Sequence, residues 1–166
     1  MPYGPFYEEF PDIAEKETRR LTVFDVPGLP PRQYLFAEAY CDEPGCDCRR
    51  VFFNVIDGQT SQLKAVIAYG WERRSFYVNW FGSDDPAIIR ELQGPVLNLA
   101  SLQSPLAPAL LKQMGVILSD GNYVERLKRH YTLYKAAIDR KAGRPTETQK
   151  RTSYKRPLRK HKKRGV

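Results

Sequence analysis

All three cysteines of the 166-residue chain fall within eight residues, as Cys41-Asp-Glu-Pro-Gly-Cys46-Asp-Cys48. The Pro44-Gly45 pair inside this run is a turn signal that folds Cys41 back toward Cys46 and Cys48. Converging thiolates suit a soft or borderline cation, most commonly Zn²⁺ in a tetrahedral site. A structural zinc held by Cys41, Cys46 and Cys48 is therefore the first expectation. Three thiolates call for a fourth ligand. His130 is one candidate; Asp42, Asp47 and a water are the others. The spacing is C-x4-C-x-C, not a pair of CxxC knuckles, and two other chemistries stay open. The cysteines can be plain thiols, or a redox-active set in which Cys46 and Cys48 pair.

The second chemical feature is charge. The chain carries 27 Lys/Arg and 19 Asp/Glu, for a net charge of +8. Of these, 11 basic residues and one acid, Glu147, lie between Lys141 and Val166, so the last 26 residues carry +10 and the rest −2. Basic pairs and triplets punctuate the tail: Lys150 and Arg151, Lys155 and Arg156, Arg159 and Lys160, then Lys162, Lys163 and Arg164. Such a segment releases counterions when it neutralises phosphates. Tyr154 and the basic residues can also stack on unpaired bases. RNA, or else DNA, is the expected partner. The tail has too few large apolar residues to offset its ordering entropy, which predicts disorder in the free protein.

Catalytic signatures are scarce. There is no GxSxG, P-loop, HExxH or strand-following GxGxxG. A binding module is favoured over an enzyme. A thiol enzyme or redox sensor, and a protein-interaction module with a solubilising tail, are the alternatives. No apolar run is long enough to span a bilayer, and the first residues lack the basic and apolar regions of a secretory signal. A cytoplasmic protein with no membrane partner is expected, with the oligomeric state left open.

The elements that must position these groups follow an α+β order. Residues 1–20 read as an irregular arm and a short helix, Asp12–Arg20. Residues 21–142 read as one domain, and 143–166 as the tail. Strands are expected at Leu21–Val26, Gln33–Cys41, Arg49–Ile56, Leu63–Tyr69 and Ser75–Phe81, forming an antiparallel meander of four or five strands. Asp57-Gly58 marks a hairpin between the third and fourth. The aromatics Phe52, Phe53, Phe76, Tyr77, Trp80 and Phe81 fall on both faces of such a sheet, which places at least half of them in a core. About three helices follow: Pro86–Gln93, one starting at Ser104-Pro105 with Leu106, Leu110, Leu111, Met114 and Leu118 at helical spacing, and Asn122–Lys141. In the last, Tyr123, Leu127, Tyr131, Tyr134 and Ile138 recur at steps of three and four. His130 lies on this helix.

The segment Tyr40–Arg49, with Val51-Phe-Phe-Asn-Val55 and Tyr123–Tyr131, resembles a family of uncharacterised bacterial proteins with a CDxPxCDCR segment. Some of them carry a C-terminal zinc motif of the SEC-C type after a Gly-Arg junction. Here Gly143-Arg144 is present but no cysteine follows. The resemblance implies that the cysteine and histidine segments belong to one domain; it implies no activity and no second zinc motif.

Overall fold

The computed structural model describes residues 2–143. The basic residues from Lys150 to Arg164 lie outside that range. Among the described residues six strands form one antiparallel sheet: β1 (Tyr3–Pro5), β2 (Arg19–Thr22), β3 (Gln33–Cys41), β4 (Arg50–Asp57), β5 (Leu63–Gly70) and β6 (Val96–Leu97). The helices are α1 (Phe6–Glu9), α2 (Pro11–Glu17), α3 (Arg74–Phe81), α4 (Pro86–Gln93), α5 (Ala107–Ile117) and α6 (Gly121–Lys141). The α+β class follows directly.

The meander β3-β4-β5 is the spine, and β6 adds to its β5 edge. The free edge of β3 takes two short strands in tandem. β2 pairs with Gln33–Phe36, and β1 pairs with Ala39–Cys41, setting Tyr3 opposite Cys41. The first residues are thus a sheet edge rather than an irregular arm. Pro5 ends that edge and Pro11 starts α2, where its missing N–H costs nothing.

Alternation along the strands decides the two faces. Tyr34, Phe36, Glu38 and Tyr40 of β3, with Val51, Phe53 and Val55 of β4, face the main core and are all buried. α5 contributes Leu110 and Met114, and α6 contributes Tyr123, Leu127, Tyr131 and Tyr134. Each large side chain so buried contributes roughly 1.5–3 kcal/mol. Asp120 starts α6 by accepting the Asn122 N–H (3.0 Å), and Asp85 starts α4 by accepting the Ala87 N–H (2.8 Å).

One expected strand is a helix. Ser75–Phe81 lies within α3, which ends at Gly82 with φ 81°. The aromatics recur at 76/80 and 77/81, which is helical spacing as well as strand-like richness. Burial of Tyr77 with Ile89 and Leu92 decides between them. At Gly70 a Cβ would meet the Leu92 carbonyl at 2.6 Å and collide with the Tyr77 hydroxyl, so the end of β5 needs glycine for α3 and α4 to pack there.

The β4–β5 hairpin turns on Asp57, whose side chain is 1% exposed. Burial alone would raise its pKa. The N–H groups of Gln59 and Thr60 and the Arg32 guanidinium (2.7 Å) overcome that and hold it below the usual carboxylate range. A lowered folded pKa stabilises above the unfolded value, about 3.9, and this contribution is lost as pH falls through the folded value. Asp57→Asn is expected to lower stability at pH 7 and to flatten the fall below about pH 4, read from urea midpoints across pH. An unchanged acid limb would show that Asp57 does not contribute to it.

Candidate metal centre

The loop between β3 and β4 brings the three cysteines together. Their sulfur atoms all lie within 4.8 Å of one another. Cys41 and Cys48 are fully buried and Cys46 is half-buried. The turn is closed by the Cys46 N–H bonding the Glu43 carbonyl (3.2 Å), with Gly45 at φ 74°. Arg49 follows at φ 50°, a left-handed conformation that few non-glycine residues adopt. It is braced by contacts of its guanidinium with Asp47 (2.9 Å) and Glu72 (3.2 Å), by stacking on Phe76, and by the Tyr77 hydroxyl on its carbonyl (2.8 Å). That twist aims Cys48 back at Cys41 before β4 begins.

α6 grips the loop from one face. Tyr131, Lys135 and Asp139 recur every four residues, so they line one stripe. The Tyr131 hydroxyl accepts the Arg49 N–H (3.2 Å). The Lys135 ammonium donates to the carbonyls of Cys41 (3.0 Å) and Glu43 (2.7 Å). The Asp139 carboxylate accepts the Gly45 N–H (2.8 Å). Lys135 is 8% exposed and bonds only carbonyls among the described residues, so its charge needs a nearby anion. The cysteine cluster beside it is the candidate for that anion.

The thiols are electrostatically coupled. The Cys48 thiol, as a donor, holds Cys41 down to about 6 against the opposing effect of burial, with the Glu43 N–H and Lys135 assisting. In turn, Cys41 pushes Cys48 far up, and burial raises Cys46. Ionisation of one thiol thus opposes ionisation of its two neighbours. Full ionisation of the three needs positive charge among them.

The donor set fits a thiophilic cation. The Tyr3 hydroxyl gives a second sign. It is buried, bonds no nitrogen or oxygen among the described residues, and has the Cys48 sulfur within reach. A metal-bound thiolate at Cys48 would accept a hydrogen bond from it, as coordinated sulfurs commonly do from neighbouring donors.

His130 lies elsewhere. No histidine or carboxylate joins the three sulfurs among the described residues. Its ring is 1% exposed and both nitrogens are engaged, Nδ1 by Glu38 (2.7 Å) and Nε2 by Glu17 (2.6 Å). It also stacks on Phe6 at 4.4 Å between centroids. In place of the candidate fourth-ligand role, His130 joins the buried Glu38 to the part-exposed Glu17. The carboxylate of Asp47 is taken by Arg49 and that of Asp42 lies outside the sulfur group. Glu38 was detectable from sequence, since it falls between Phe36 and Tyr40 on the inward face of β3. An acid at a core register position signals a buried partner. The grip of Lys135 and Tyr131 had no comparable signal.

No helix among the described residues is long and apolar enough to cross a membrane. No known family model, curated protein or solved structure matches the chain.

Proposed function

We propose that the protein is a non-enzymatic domain built around a structural zinc held by Cys41, Cys46 and Cys48, with a basic tail that engages nucleic acid. The convergence of three sulfur atoms within 4.8 Å carries the metal reading. Zinc is the divalent ion commonest at thiolate sites, and three thiolates with Zn²⁺ leave one negative charge, which Lys135 complements. The fourth position falls to water or another exogenous donor. In this role the metal would fasten the β3–β4 loop to the start of β4 and to β1 through Tyr3.

Elemental analysis of untagged protein purified under reducing conditions tests this. About one zinc per chain is expected, and none in Cys48→Ser. Metal-free wild-type protein whose thiols alkylate at once would favour the redox alternative instead.

The +10 charge of the last 26 residues supports the tail reading, with RNA favoured over DNA. Binding of a single-stranded RNA should weaken steeply between 50 and 200 mM salt and vanish on deletion of residues 144–166. Equal RNA retention by the truncated chain would sink it.

A further inference from the structure

The face of the sheet away from the main core holds a cavity of about 470 Å³. That size is typical of small-molecule sites. Its floor is the outward side of the meander, with Phe52 and Val66, and its walls include Tyr3, Arg50, Asn54 and Ser101. No acidic residue lines it.

Arg50 is the residue that asks for a ligand. It is 8% exposed, and among the described residues it forms no ion pair. Its Nε–H donates to the Leu92 carbonyl (3.0 Å) and Nη2 donates to the Glu91 carbonyl (2.9 Å), at the C-terminal end of α4. Those two bonds use the side of the guanidinium fork. The helix end offsets about half a charge. The end of the fork, one N–H from Nη1 and one from Nη2, has no acceptor among the described residues. These two parallel donors match the two oxygens of a carboxylate. Buried charge without a counterion is costly, so an anion at this place recovers what the fold leaves uncompensated.

The other polar groups agree. The Ser101 oxygen already accepts from Asn98 (2.7 Å), which leaves its own proton to donate. The Asn54 side chain has no hydrogen-bond partner in the fold among the described residues, so its amide is free to serve the cavity. The Phe52 ring lies under Arg50, with the guanidinium 5.3 Å from its centroid, and supplies with Val66 an apolar floor.

We propose that this cavity binds a small monocarboxylate with an apolar or aromatic body, its carboxylate on the free end of Arg50 and its body on Phe52 and Val66. The site shares Tyr3 with the metal centre and Arg50 directly follows the cysteine loop, so its test is run on protein of one fixed zinc content.

The test uses the full chain, with phenylacetate as the probe and phenylacetamide and inorganic phosphate as comparisons. Backbone amide shifts are followed by NMR. Phenylacetate should give saturable shifts at Ala39, Asn54, Val66 and Ser101. Phenylacetamide should bind at least tenfold more weakly, and phosphate should not displace phenylacetate at equal concentration. Arg50→Lys keeps the charge and loses the fork, and should weaken phenylacetate at least tenfold. If that variant fails to fold, Asn54→Leu decides, since the Asn54 side chain has no hydrogen-bond partner among the described residues and only its backbone is held in the sheet. It should weaken binding severalfold with an unchanged thermal midpoint. Non-saturating shifts, equal binding of the amide, or tighter binding of phosphate would each overturn the assignment.

Discussion

Stripping the metal from the full chain under reducing conditions is expected to lower its thermal midpoint by roughly 10 °C. An ion present at about a thousand times its Kd stabilises by ~4 kcal/mol, and each kcal/mol moves the midpoint of a chain this size by about 2–4 °C. Complete unfolding is not expected. Cys41 and Cys48 belong to the main core, but most of it is aromatic and aliphatic side chains of β3, β4, β5, α5 and α6 that need no metal, unlike the core of a zinc finger. The damage should concentrate in residues 41–49, where the three sulfurs would lose the cation that allows their joint ionisation beside Lys135. Cys48→Ser should reproduce most of the loss, and chelator should do nothing further to that variant. The stabilisation also has a pH sign. Cys46 and Cys48 are held protonated by burial and by their neighbours, so binding a cation expels protons from the cluster. The difference between loaded and stripped protein should therefore shrink as pH falls from 8 to 6. A midpoint unmoved by complete metal removal would deny the ion a structural role.

His130→Ala should cost about 3 kcal/mol, or roughly 6–12 °C in midpoint. The residue is fully enclosed, and its removal does three things at once. It opens a hole against Phe6, it strips Glu38 of its imidazole partner, and it removes one of the bonds from α6 to Glu17 at the end of α2, leaving those of Arg126 and Arg129. Glu38 would then keep only the Tyr40 hydroxyl (2.7 Å), and its other oxygen, Oε1, is already buried without a partner. A buried carboxylate left in that state is more expensive than the lost attraction itself. For that reason His130→Leu combined with Glu38→Leu should lose less than His130→Ala alone. Glu17 adds an acid-side dependence. Its hydrogen bond from His130, with help from Arg129, holds its pKa low. This contribution is present above the ordinary glutamate value and fades as pH drops through the lowered one. A loss under about 0.5 kcal/mol on urea denaturation of His130→Ala would remove the cluster from the stability account.

Much of the frame could be read along the chain. β3 runs from Gln33 to Cys41 and α4 from Pro86 to Gln93, as alternation and the Asp85-Pro86 start imply. These signals are local, because side-chain period and capping act within a few residues. The gathering of the cysteines was legible for the same reason, since eight residues with a Pro-Gly turn cannot spread far. α3 shows where local reading stops. Its aromatic spacing satisfies a strand and a helix alike, and only the packing of Tyr77 against Ile89 and Leu92 separates them. The roles of His130 and Lys135 lie wholly beyond local reading. His130 meets partners 92 and 113 positions away, and Lys135 meets the cysteine loop 92 and 94 positions away. Periodicity shows which stripe of α6 is buried, but not which loop or strand that stripe will meet. A histidine and a lysine in one amphipathic helix are equally compatible with a ligand, a clasp or a solvated face. The docking of α6 across the sheet assigned the lysine to the carbonyls of the cysteine loop and the histidine to two carboxylates, because buried polar and charged groups are tolerated only where partners are already in place.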